Sequence, residues 1–235
     1  MKTILIYAYS AILVLGSLTK LRKATKIPDS PYPEKAKQIF DTPARVSKRV
    51  IEKTKSTVTV KGRENLPDQP VLVVANHQGL FDILVLLAYL DKPVGFIAKQ
   101  EIKKIPIISK WMIQLKCVFI DRSNRRAAIK VIDDGVESLK LGQSIVVFPE
   151  GTRSKGPDVQ TFKSGSLRLA TRAEVPIVPV TIDGTYKMLE EKDGKIQPAH
   201  VSLTIGQAIY PKQYKAWKHN QLAEELQQTI AGQIK

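Results

Sequence analysis

Seven short runs rich in Val, Ile and Phe recur along this chain from residue 57 onward, and that recurrence constrains the fold more than any other feature. They lie at 57–61, 71–75, 94–98, 117–121, 145–148, 177–182 and 201–205, each of strand length and composition. Helical segments fall between several of them. Residues 81–90 are almost wholly apolar, so a buried helix is predicted there. Over 124–140, Ala128, Val131, Ile132, Val136 and Leu139 recur at helical spacing, and Gly142 marks the stop. Further helices are predicted at 166–172 and 217–230. Alternation of this kind predicts an α/β fold with a largely parallel sheet flanked by helices. Ligands bind such sheets beyond the carboxyl ends of the strands. Two polar motifs begin where an apolar run stops: VLVVA leads into NHQGLFD (76–82), and IVVF leads into PEGTRS (149–154).

The first 55 residues read differently. Residues 3–18 (TILIYAYSAILVLGSL) carry no charge, and Lys20, Arg22, Lys23 and Lys26 follow. A spanning helix needs about 20 apolar residues. This segment therefore fits either a short span with local thinning or partial immersion in one leaflet. No small-x-small site follows it, and its basic flank lies on the carboxyl side, both unlike a cleaved signal peptide. The basic flank predicts the body of the chain on the cytoplasmic face. After a proline-punctuated break at 27–33, Thr42-Pro43 reads as a helix start. The helix over 43–53 is basic and amphipathic, which suits a membrane surface and packing on a core equally. The expected organisation is an N-terminal membrane-associated helical region, 1–55, and an α/β domain, 56–235.

A net charge of +15 calls for an anionic partner: nucleic acid, an anionic membrane surface, or an acidic substrate or carrier. Aromatic residues make up only 6% and neither a stacking motif nor a zinc module occurs, which argues against nucleic acid. Lys99, Lys103, Lys104, Lys110, Lys116, Arg122, Arg125 and Arg126 concentrate the charge between the two polar motifs, as a basic rim would. Cys117 is the only cysteine, so an intrachain disulfide and a Cys-based zinc site are both ruled out.

In the first motif, His77 follows a strand and Asp82 lies in the first turns of a helix. The spacing lets the carboxylate fold back onto a ring nitrogen, so that Asp82 fixes the tautomer while His77 accepts a proton. Taken alone, the pair also fits a helix-capping aspartate beside a core histidine. In the second motif, Gly151 permits close backbone approach, Thr152 offers a hydrogen bond and Arg153 can grip a phosphate through two N–H groups. Phe162-Lys163-Ser164-Gly165 opens a short helix whose amides and lysine suit the same anion. Asp121-Arg122 brings another arginine to a strand end, either as a salt bridge or as an anion ligand. The motifs need no metal.

Taken in order, NHQGLFD, VFIDR (118–122), FPEGTRS (148–154) and VPIVPVTI (175–182) resemble the four motifs of glycerolipid acyltransferases of the lysophosphatidic acid acyltransferase type. The resemblance extends over about residues 57–209, with the apolar N-terminus besides. It implies a mixed, largely parallel sheet and direct acyl transfer. His77, oriented by Asp82, would deprotonate the sn-2 hydroxyl of 1-acyl-sn-glycerol-3-phosphate, which attacks the thioester of acyl-CoA or acyl-carrier protein to give phosphatidic acid. Glu150, Gly151, Thr152, Arg153 and Arg122 would hold the phosphate and Lys99 would assist, with Asn76 and Lys163 in support. The thioester donor is a co-substrate, and no cofactor is implied. Within the same chemistry the alternatives are acylation of glycerol 3-phosphate or of another lysophospholipid. Outside it stand a noncatalytic lipid-binding protein and a basic nucleic-acid-binding protein, which would leave His77 unused. Two residues depart from the family pattern: Gly79 where serine is frequent, with a small effect on local hydrogen bonding expected, and Lys116 where glycine is common.

Overall fold

The computed structural model of the chain describes residues 2–27, 32–121 and 125–235. Arg122 lies outside the described residues, as do the side chains of Arg125, Arg126 and Ala128. Three N-terminal helices, α1 (Lys2–Gly16), α2 (Leu18–Ala24) and α3 (Tyr32–Thr54), precede the sheet. There follow β1 (Thr57–Lys61), β2 (Leu72–Ala75), α4 (Phe81–Tyr89), β3 (Val94–Lys99), α5 (Pro106–Gln114), β4 (Val118–Ile120), α6 (Arg125–Lys140) and β5 (Ser144–Val147). The chain ends with α7 (Arg168–Ala173), β6 (Ile177–Asp183), β7 (His200–Ile205), α8 (Pro211–Tyr214) and α9 (His219–Ala231).

The strands form one sheet in the order β1-β7-β6-β2-β5-β3-β4. Every neighbouring pair is parallel except β6–β7, which is antiparallel. The expected mixed, largely parallel sheet is what forms. Its central strands β2 and β5 are buried at every position, the pattern of a sheet covered on both faces. Side-chain alternation divides β2 between two cores. Val71, Val73 and Ala75 face a core that contains Phe81, Leu86 and residues of the N-terminal helices, while Leu72 and Val74 face one built with α6, α7 and α9. At the edge, β1 alternates between half-buried Val58 and Val60 and exposed Thr57, Thr59 and Lys61.

The helix expected to begin at Thr42-Pro43 instead runs from Tyr32 to Thr54 with Pro43 inside it. Pro43 lacks the N–H that would reach the Ile39 carbonyl. The helix continues because its buried stripe, Ala36, Ile39, Phe40, Ser47, Val50, Ile51 and Thr54, keeps its phase on both sides of the proline. That stripe packs on the core, and Arg45, Lys48, Arg49 and Lys53 stay exposed. No sequence signal marked α5, whose apolar residues follow no single face. Ser109 and Trp111 are buried, whereas Ile108 and Ile113 are exposed. Lys116, just after α5, has φ 54°, in the left-handed region that favours glycine. This is the position where the family pattern has glycine.

The stretch Lys2–Ala24 is long and apolar enough to cross a membrane, and only 17% of its apolar window is buried. Ile4, Leu5, Tyr7, Ile12 and Leu15 are exposed along α1. Two polar contacts fasten this region to the body: the Trp111 indole N–H donates to Ser17 Oγ at 2.9 Å, and the Ile196 N–H donates to Thr3 Oγ1 at 2.9 Å.

Candidate active site

Strands β2, β3, β4, β5 and β6 run in one direction, so their carboxyl ends share an edge of the sheet. The first and third motifs emerge there, the described part of the second ends at β4, and the fourth forms β6 itself. Asn76 follows β2, and its side chain pairs with both backbone groups of Ile182, donating to the carbonyl at 2.8 Å and accepting the N–H at 2.8 Å. It acts as one more rung between β2 and β6. The loop after it is thereby fixed where His77 begins.

His77 Nδ1 lies 2.7 Å from Asp82 Oδ2. An ionised carboxylate only accepts, so this contact favours the tautomer of the neutral ring with hydrogen on Nδ1 and the lone pair on Nε2. Asp82 is fully buried, and the ring is 19% exposed, enough to be reached. Oδ2 also accepts the Gly79 N–H at 2.8 Å, while Oδ1 accepts a short hydrogen bond from Thr185 Oγ1. Thr185 follows Gly184, whose φ of 97° and close approach to the His200 carbonyl leave no room for a Cβ. The Gln78 side-chain oxygen accepts the Gly184 N–H at 2.9 Å. The imidazole stacks on Phe148, the residue after β5, with ring centroids 4.1 Å apart and 18° between planes.

The loop after β5 is bonded directly to the loop after β2. The His77 N–H donates to Glu150 Oε1 at 2.5 Å, and the Gln160 N–H donates to Glu150 Oε2 at 2.9 Å. The Ser154 N–H donates to the His77 carbonyl at 2.8 Å, and the Lys155 N–H to the Gln78 carbonyl at 3.1 Å. Glu150 is buried, and desolvation raises its carboxyl above the ordinary value, against the lowering effect of the two amides. Expected as a phosphate ligand, Glu150 instead has each carboxylate oxygen occupied by a backbone amide. Its negative charge would also repel a phosphate. It splints the two loops.

The rest of that loop carries the cationic groups. Gly151 has φ 74° and closes a turn by donating its N–H to the Phe148 carbonyl at 3.0 Å. Lys163 reaches over this turn, its Nζ 3.1 Å from where a Cβ on Gly151 would sit. The Lys163 N–H donates to the Pro149 carbonyl at 3.0 Å. Thr152 is exposed. Arg153 donates through Nη1 to Glu190 Oε1 at 3.2 Å, and its side chain is 44% exposed. Lys99 is exposed at the end of β3, on the same edge.

Phe148 stands in the third sequence motif without a role of its own there, and neither Thr185 nor Glu190 belongs to any site motif. Thr185 and Glu190 follow β6, more than a hundred residues from the loop after β2 that they both touch. Cys117 is set apart from this chemistry. Its sulfur accepts the Phe96 N–H at 3.3 Å, and burial pushes its thiol up to about 12.

A largely parallel α/β sheet carrying the His77 and Glu150–Arg153 loops at its carboxyl edge points to the acyltransferase class, and a family model described as Acyltransferase matches residues 57–183. The chain is 32% identical over 211 residues to a probable 1-acyl-sn-glycerol-3-phosphate acyltransferase of Mycoplasma pneumoniae, covering 88% of this chain and 77% of that one. It is 36% identical over 180 residues to a 1-acyl-sn-glycerol-3-phosphate acyltransferase of Chlamydomonas reinhardtii, covering 75% of this chain but only 53% of the algal protein. The crystal structure of the 1-acyl-sn-glycerophosphate (LPA) acyltransferase PlsC from Thermotoga maritima superposes with a TM-score of 0.84 at 30% identity, covering 99% of this chain and 95% of that one. The chain belongs to the 1-acyl-sn-glycerol-3-phosphate acyltransferase family of glycerolipid acyltransferases.

Proposed function

We propose that this protein transfers a fatty acyl group from acyl-CoA or acyl-carrier protein to the sn-2 hydroxyl of 1-acyl-sn-glycerol-3-phosphate, giving phosphatidic acid. The observation that carries this reading is the bonding of the His77–Asp82 pair, through Glu150, Ser154 and Lys155, to the turn that presents Gly151 and Arg153. A base and an anion grip are held at one edge of the sheet. His77 Nε2 takes the hydroxyl proton as the oxygen attacks the thioester carbonyl carbon. The imidazolium that forms is stabilised by Asp82 through Nδ1–H. Collapse of the tetrahedral intermediate breaks the C–S bond, and the departing thiolate takes the proton back from His77. A thioester is already activated, so no covalent acyl-enzyme step is required.

The glycerol phosphate is held by Arg153, with Thr152, Gly151 and Lys163 around the same turn, with Lys99 from the end of β3, and with Arg122. The exposed apolar face of α1 and the basic residues behind it associate the protein with an anionic membrane surface, body on the cytoplasmic face. The acceptor's own acyl chain then remains in lipid while its headgroup enters the site.

The test is thiol release and product mass spectrometry with purified protein, several thioester donors and competing acceptors. His77→Ala is expected to lower kcat by about 10²–10⁴-fold with an unchanged unfolding transition. Undiminished turnover in that variant, or faster acylation of glycerol 3-phosphate than of the lysolipid, rejects the proposal.

A further inference from the structure

Glu190 is a carboxylate in the place where an anion should go. It opens a short 3₁₀ turn, Glu190–Lys192, and its side chain is only 6% exposed. Oε1 accepts two hydrogen bonds, from the Leu80 N–H at 2.8 Å and from Arg153 Nη1 at 3.2 Å. Oε2 is buried and accepts no hydrogen bond among the described residues. A buried carboxylate oxygen without a donor is costly, and such groups need a reason to persist. Gly79 supplies the other half of the observation. A Cβ there would stand 2.4 Å from Glu190 Oε2, and its three nearest neighbours would all be atoms of the Glu190 carboxylate group. The space a serine side chain would take at this position is therefore filled by Glu190. The Gly79 N–H meanwhile supports Asp82, so the carboxylate sits one residue from the base's own scaffold.

We propose that Glu190 is an internal occupant of the headgroup seat that determines acceptor specificity: an acceptor must present enough negative charge to displace this carboxylate from Arg153. The inference rests on the function proposed above and names the feature of the acceptor that the site selects. A phosphate monoester brings up to two negative charges and three acceptor oxygens to the guanidinium, against one charge on Glu190. A headgroup with one charge, or none, gains little by the exchange. Arg153 is exposed enough to be approached while Glu190 still holds it.

Glu190→Gln keeps the shape and an acceptor for the Leu80 N–H but removes the charge. Inorganic phosphate is titrated calorimetrically into the full chain in detergent, and the acceptor KM is measured for lysophosphatidic acid. Glu190→Gln is expected to bind phosphate about two- to fivefold more tightly, with a parallel fall in KM, from the strength of an ion pair of this exposure. Gly79→Ala, which pushes the same carboxylate away sterically, should move phosphate affinity in the same direction. Glu191→Gln removes an equal charge from the same turn without touching Arg153 and should match the wild type. The inference is overturned if Glu190→Gln leaves phosphate affinity unchanged or weakens it, since Glu190 would then be a support that orients Arg153. It is also overturned if neither protein binds phosphate, or if Glu191→Gln gives the same gain. Failure of the wild type to acylate lysophosphatidic acid would instead reject the function proposed above, and the calorimetric arm reads Glu190 either way.

Discussion

Replacing Glu150 by glutamine tests whether the proposed base and the proposed anion grip are mechanically one unit. In the wild type the two carboxylate oxygens accept the His77 and Gln160 amides at 2.5 and 2.9 Å. Glutamine keeps one acceptor oxygen and turns the other into an amino group that confronts a backbone N–H. One charge-assisted bond, worth about 1.5–3 kcal/mol, is lost and the other becomes neutral. Relief from burying a carboxylate offsets part of this. A net loss of about 2 kcal/mol at neutral pH follows, or a fall of about 4–8 °C in Tm for a chain of this size. The pH dependence has a definite sign. Burial raises the Glu150 carboxyl in the folded state, so the folded protein binds that proton more readily than the unfolded chain does. Its contribution to stability is complete below the ordinary carboxylate value and disappears as pH rises through the raised one. The Tm gap between wild type and Glu150→Gln should therefore widen as pH falls from neutral toward about 4.5. The assay is thermal unfolding of both proteins across that range, with kcat measured alongside. Because His77 loses an anchor on its own backbone N–H, kcat should fall about tenfold or more. A gap that narrows on acidification, or a destabilised variant with full kcat, would refute the reasoning.

Three further outcomes follow from the same geometry. Thr185→Val removes the hydroxyl donor to Asp82 Oδ1 and should cost about 1–3 kcal/mol of stability and about tenfold in kcat, whereas Thr185→Ser should restore both; equal kcat in the two variants would exclude a positioning role. Cys117, its thiol pushed up to about 12, should resist iodoacetamide at neutral pH without loss of activity, and Cys117→Ala should retain turnover; inactivation by the reagent would place the thiol in the chemistry. Deleting residues 1–26 should leave only salt-sensitive membrane binding, checked by vesicle flotation at low and high ionic strength; retention at high salt would transfer the anchor to another surface.

The sheet was legible because its buried strands are runs rich in Val and Ile while β1 and β7 alternate apolar with polar residues, and the parallel arrangement followed from the helices between them. Pro43 was misread because local chemistry favours a helix start there; the stripe that carries the helix through it is tertiary. α5 escaped because its apolar residues divide between the core and the surface. At the site, His77 and Asp82 were legible from a spacing of five residues. Thr185 and Glu190 were not, since Asp82 lies 103 residues from Thr185, Leu80 and Arg153 lie 110 and 37 residues from Glu190, and no local pattern links them. Glu150 was grouped with the phosphate ligands by its place in a motif, although the sign of its charge already favoured another duty. The substitution at Gly79 looked minor in sequence. Its meaning appears only with the carboxylate that fills the space.

The splint between the two loops has a consequence for how such a protein diversifies. On the function proposed above, recognition and proton transfer fall to adjoining stretches of backbone that share Glu150, Ser154 and Lys155 as fasteners. Changes made on the two sides should therefore not combine independently: paired substitutions should deviate from the product of the single effects. A lineage that adapts to a new headgroup by reshaping the Gly151 turn must carry its base along, so drift in acceptor preference should leave a trace in turnover as well as in affinity.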